Sequence, residues 1–302
     1  MTKAVIVLLS PFCSFFALAS EIFNRDVPSE GYYNPASNGG SMLTVVGQTF
    51  PDGQQEPVNA VISGNSDQAV LAQQSTNGGL INYFQSLSFS GECLGQHTGN
   101  SQQVDLGDGN GLRNETAVMR YNYGDPSLGS CTESVKGGDH FRYWVQNGSE
   151  ANSGAVFMAI SYETSSSDNH DIVENGYNLG RDYVVGNISG SEVPTLTLTG
   201  SSTFSGKSSS QGYTYRTDIT YVAGLLQNTS IGINHNQSVS NDGAVNAVDG
   251  LVAVFNVSIT GTPSISASDS GNGSGSRNLA WPEISKTWTI LFVFFIICYI
   301  AL

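Results

Sequence analysis

Histidine and arginine are scarce in this chain, and their positions are grouped. Its 302 residues hold four histidines and eleven lysines and arginines together. The stretch "GGDHFRYWVQNGS" sets His140, Arg142 and Trp144 at alternate positions. On a strand those three share one face, while Phe141, Tyr143 and Val145 take the other. Downstream, "NHDIVENGYNLGRDYVVGN" carries His170, Asp171 and then the pair Arg181-Asp182. An imidazole can serve as general base, and a guanidinium can clamp an anion. His140, Arg142, His170, Arg181 and Asp182 are therefore the candidate catalytic or ligand-binding residues. His140 and Arg142 are expected on the same side of the sheet as His170 and near Arg181. A zinc site would draw on His140, His170 and Asp171, although no helical His-x-x-x-His spacing supports it. The structural alternative is a buried polar network, with Arg142 paired to Asp182 or Asp171.

Other motifs carry less. "DLGDGNG" offers Asp105, Asp108 and Asn110 as oxygen ligands for calcium, but Leu112 stands where an EF-hand loop counted from Asp108 needs its next ligand. A Gly-rich turn explains the same residues. "GSSTFSGKS" resembles a phosphate-binding loop with one residue too many between Gly200 and Gly206. No Gly-x-Ser-x-Gly elbow occurs, so a serine hydrolase of that kind has no support.

Positioning these residues takes a sheet and a helical layer. "MLTVV" at 42–46 and "PVNAVIS" at 57–63 read as β-branched strands. "SDQAVLAQQS" opens on Ser66 as a helix N-cap, and Leu80, Tyr83, Phe84 and Leu87 recur at helical spacing after a break at Asn77-Gly78-Gly79. Segments 115–123, 140–146 and 155–163 read as strands, with 147–154 a hairpin loop, and 176–187 as a short helix followed by a turn. Beyond Pro194 the chain is rich in Ser, Thr and Gly with further strand-like runs. The fold class expected is α+β: an antiparallel sheet with one helical layer, plus a β-rich C-terminal part, and a possible boundary near residue 190.

The order of these segments resembles the LssY-type C-terminal domain and related secreted, tail-bearing fungal proteins. The resemblance rests on Pro57-Val58-Asn59 leading to Gly64, on His140, Arg142 and Trp144, and on His170-x-Ile172 leading to Arg181-Asp182. It spans about residues 57–187 and leaves the C-terminal third unmatched. Two positions depart from the family: Leu87-Ser88-Phe89 replaces Gly-Trp, and Asp139 stands where a second histidine is often found. The resemblance implies a fold and a site without an established activity.

The ends give an address. Residues 1–19, with Lys3, an apolar run and Ala17-Leu18-Ala19, read as a secretory signal peptide. Residues 20–40 read as a loose polar arm, 41–262 as an extracellular domain, 263–276 as a Ser/Gly-rich stalk and 277–302 as a GPI-type signal tail. Small residues at 272–276, a polar spacer and an apolar end mark Ser274 as the lipid-attachment residue, with Asn272 and Gly273 as alternatives. From Trp288 the tail has room for a helix of only about 22 Å against a ~30 Å hydrocarbon core, so a single-span protein is the second reading.

Removing both ends leaves 8 basic and 24 acidic residues, a formal charge of −16 (8 − 24). That excludes a phosphate-binding stripe and with it nucleic acid as a partner. Cys93 and Cys131 are then the two remaining thiols, and an oxidising compartment gives them one pairing. Sequons at Asn114, Asn147, Asn187, Asn228, Asn236, Asn256 and Asn272 indicate a glycoprotein. The functional expectation is a surface or cell-wall glycoprotein with a binding or structural role. It would sit at the outer face of the plasma membrane or in the wall, held by lipid, with polysaccharide or surface proteins as partners and no obligatory cofactor. The alternative is an extracellular enzyme or small-ligand protein using the His/Arg residues, with zinc or calcium as the metals to consider.

Overall fold

The computed structural model describes residues 25–264 apart from Thr98, Asn241 and Asp242. The segments expected as signal peptide and lipidation signal, the Asn272 sequon and the apolar tail lie outside the described residues. In chain order the strands are β1 (Ala60–Ile62), β2 (Phe89–Gly91), β3 (Gln103–Asp105), β4 (Leu112–Asn114), β5 (Ala117–Tyr121), β6 (Gly138–Val145), β7 (Val156–Glu163), β8 (Thr203–Ser210), β9 (Tyr213–Thr229) and β10 (Val248–Gly261). The helices are α1 (Gln68–Leu71), α2 (Leu80–Ser86), α3 (Gly129–Lys136), α4 (Gly176–Ser189) and α5 (Asn236–Val239).

Eight strands form one sheet in the order β2-β5-β6-β7-β1-β10-β9-β8, and β3-β4 form a small second sheet. Pairing in the large sheet is antiparallel except between β1 and β10, which run parallel. The three residues of β1, Ala60, Val61 and Ile62, are buried throughout, as a strand covered on both faces must be. One face packs against α1, α2 and α4 through Val70, Leu80, Phe84, Val184 and Ile188. Its aromatic centre sets Phe84 and Phe141 edge to face with centroids 4.8 Å apart, and Phe89 5.0 Å from Phe141. The opposite face buries Val61, Trp144, Phe157 and Val252 beneath Tyr32, Met42, Val104 and Ile233. The class is thus α+β with one helical layer, and α3 stands apart from that layer beside β2 and β5.

Asn59 ties three of these parts together. It is 1 % exposed. Its amide donates to the carbonyls of Ile160 on β7 (3.0 Å) and Tyr177 on α4 (2.8 Å), and its Oδ1 accepts from the Ile160 amide (3.0 Å).

Four expectations change. Residues 42–46 make only isolated bridges, Leu43 with Pro57 and Val45 with Gln103, and the Thr44 side chain accepts from Glu56 N and donates to Gln102. The arm is docked where it is described: Tyr32 and Pro35 are buried, and Tyr33 N donates to Gln146 Oε1 at 2.9 Å. Helix α1 begins after Asp67, while Ser66 is buried and bonds Val257 N. No division falls near residue 190, because β10 pairs with β1 and so carries β8 and β9 into the same sheet.

Candidate functional site

The register of three strands builds the centre of the site. Arg120 on β5 lies opposite His140 on β6, and His140 lies opposite Ser161 on β7. Directly paired residues share a face, so a guanidinium, an imidazole and a hydroxyl stand in one row. Glu133 enters from α3, and Glu163 ends β7. Gly137 and Gly138 make the entry possible, since the chain turns from α3 into β6 there at φ +76° and +149°. A side chain at Gly138 would also press on Glu133 Cγ at 3.1 Å.

Arg120 Nη1 donates to Glu133 Oε2 at 2.8 Å and lies 3.7 Å from Glu163 Oε2. His140 sits between the two carboxylates, Nδ1 3.8 Å from Glu133 Oε1 and Nε2 3.4 Å from Glu163 Oε1. Ser161 Oγ is 3.3 Å from the same Nε2. His170 reaches the cluster through Nδ1, 3.4 Å from Glu163 Oε2. The Glu133 side chain is fully buried, while those of Glu163 and His170 are 15 % and 38 % exposed, so solvent approaches from the His170 side. Glu133 Oε1 and His140 Nδ1 are buried without a hydrogen-bond partner.

Burial pushes Glu133 up to about 7, against the opposing pull of Arg120. Burial likewise raises Glu163 to about 7. His140 is held well below the usual imidazole value by burial and then by Arg120, Arg142 and His170. Burial works against the Arg120 charge, but Glu133 and Glu163 outweigh it and hold that pKa above the ordinary value. The cluster can store or pass a proton near neutrality. Glu133, His140 and Glu163 can also present one donor atom each, all within 4.8 Å of one another, which is a carboxylate–imidazole set suited to a zinc-like divalent cation.

Of the residues singled out from the sequence, His140 and His170 do meet, through Glu163. Arg142 lies on the same face of β6 but pairs with Glu115, neither with Asp182 nor with Asp171. Arg181 and Asp182 are elsewhere, on the helix-covered face. Arg181 binds Asp182 (2.7 Å) and Asp249 (2.7 Å) and lies 5.1 Å from the Tyr221 ring centre, while Tyr221 donates to Asp182 at 2.6 Å. That closed network holds α4 to β9 and β10. Asp171 does not join His140 and His170 as a ligand; its Oδ1 is 2.6 Å from His235 Nδ1. Asp108 accepts from Asn110, Asn147 and Gly148, and Asp105 from Gly107, so both carboxylates are engaged in closing loops. The residues that sequence reasoning missed are Arg120, Glu133 and Glu163. Arg120 and Glu163 had a signal, since an ionisable group within or ending an apolar strand demands a partner. Glu133 had none, because its helix is polar and short.

Comparison with known proteins adds no relative: no family model, no curated protein and no solved structure matches the chain.

Proposed function

We propose that this chain is a secreted, N-glycosylated, GPI-anchored glycoprotein of the cell surface or cell wall, with a binding or structural role. The observation that carries the reading is the placement of the sequons. Six of their asparagines fall among the described residues; Asn114, Asn147, Asn187, Asn228 and Asn256 are exposed and Asn236 is half-buried. Glycan transfer requires an accessible asparagine, and these positions meet that requirement. The Cys93–Cys131 disulfide fits the same oxidising route. Among the described residues no helix is long and apolar enough to cross a membrane. The resemblance to LssY-type domains remains part of the proposal and supplies no activity. A phosphatidylinositol-specific phospholipase is expected to release the protein from intact cells. Retention with the tail still present by mass would make it a single-span protein instead.

A second reading is favoured by the orphaned Glu133 Oε1 and His140 Nδ1. A divalent cation between Glu133, His140 and Glu163 would satisfy both. Elemental analysis of the purified protein tests it. One zinc per chain, lost in Glu163→Gln, supports a metal site; a metal-free protein that takes up none on addition removes it.

A further inference from the structure

Asp139 follows the chain on β6 immediately before His140, so its side chain leaves the sheet on the other, helix-covered face. It is 4 % exposed, and neither carboxylate oxygen has a hydrogen-bond partner. It stands at the inner end of a cavity of about 240 Å³ walled by Tyr121, Tyr123, Tyr162 and Tyr183. Tyr123 and Tyr183 are 43 % and 47 % exposed and form the mouth, with Asn187 beside them. The rings stand in two edge-to-face pairs, Tyr121 with Tyr123 (centroids 5.0 Å apart, 66°) and Tyr162 with Tyr183 (5.3 Å, 64°). The Tyr123 hydroxyl donates to Gly137 O at 2.7 Å, which fixes that ring.

A buried carboxyl with no donor either keeps its proton, as burial favours for Asp139, or ionises when something positive meets it. Tyrosine faces carry the negative end of the ring quadrupole and attract cations, most of all those that shed water easily. We propose that this cavity binds a small organic ammonium ion, its charge against Asp139 and its methyl or methylene groups against the tyrosine rings. A hard metal ion fits poorly, because it needs several oxygen ligands and Asp139 is the one carboxylate among the lining residues. The volume lies below the ~300–1,000 Å³ of sites for drug-sized ligands, which limits the guest to a single head group. The formal charge of −14 raises the local concentration of cations in general. The inference goes beyond the surface-glycoprotein reading and stands independently of the lipid anchor.

The test is a calorimetric titration of the purified, disulfide-intact glycoprotein with choline, repeated after enzymatic removal of N-glycans because Asn187 borders the mouth. Saturable binding of one choline per chain at millimolar concentration is expected in at least the deglycosylated form. The neutral tert-butyl isostere of choline should bind at least about tenfold more weakly, since it keeps the shape and loses the charge. Asp139→Asn should weaken choline at least about tenfold, and Tyr183→Ala, at a half-exposed position that folding tolerates, at least about threefold. Failure of choline to saturate either form overturns the proposal. So does equal binding of the isostere, or a Tyr183→Ala protein that binds choline as the parent does.

Discussion

Glu133 and Glu163 make a pH prediction at the scale of single residues. Both carboxyls have an ordinary value of 4.5 and are raised to about 7 by burial. Each therefore holds its proton more tightly folded than unfolded, and stability falls as the pH rises between those values. Asp139, raised by burial and then by Glu133, has the same sign. His140 has the opposite sign: burial lowers it, so its contribution is present above about pH 6.5 and is lost as the pH falls. Three acids outweigh one histidine. With chelator present, Tm should be higher at about pH 5 than at about pH 7, by several degrees. Glu163→Gln should flatten that slope, and a Tm that rises from pH 5 to 7 would contradict the assignment. Part of this was legible in the sequence: the alternation of His140, Arg142 and Trp144 on one face, and the meeting of His140 with His170. Arg181 and Asp182 were misplaced because adjacency along the chain says nothing about which face of the sheet a helix covers.

Among the elements, α3 is the one on which the cluster depends. Cys131 lies within α3 and is bonded to Cys93, just after β2, closing a loop of 38 residues. The bond thus fixes the helix that delivers Glu133 to Arg120. On the chain-entropy model it contributes about 4 kcal/mol, so replacing both cysteines by alanine should lower Tm by roughly 10 °C. The same variant should lose the pH slope of Glu133, which a mere loss of loop constraint would leave in place. Asn59 offers a second measurement. Asn59→Ala leaves the Ile160 amide without its partner and removes the bonds to the Ile160 and Tyr177 carbonyls, and chemical denaturation should show a loss of about 1–3 kcal/mol. Runs of β-branched and aromatic residues bounded by turn residues made β5, β6, β7, β9 and β10 readable in the sequence, although β6 and β7 are buried on both faces. The short elements were not readable. β2 has three residues, α3 has no apolar stripe, and residues 42–46 have strand composition but find only isolated bridges.

At the scale of the whole molecule, address and glycans are the coherent theme. The described sequon asparagines sit on strands β4, β9 and β10, on helices α4 and α5 and in the β6–β7 loop, at sites that leave the core intact. Glycans at those sites would suit a domain held at a surface, and the acidic chain suits attraction of cations there. Removal of N-glycans should lower the apparent mass in steps, up to one for each occupied sequon, and leave the fold cooperative. The central claim is the processed, lipid-linked form, and mass spectrometry of the mature protein taken from cell membranes tests it most directly. The expected result is a chain beginning after Ala19 and ending at Ser274, or at Asn272 or Gly273, with a phosphoethanolamine-linked glycan on its last residue. Recovery of peptides from 277–302 in the mature protein would contradict it.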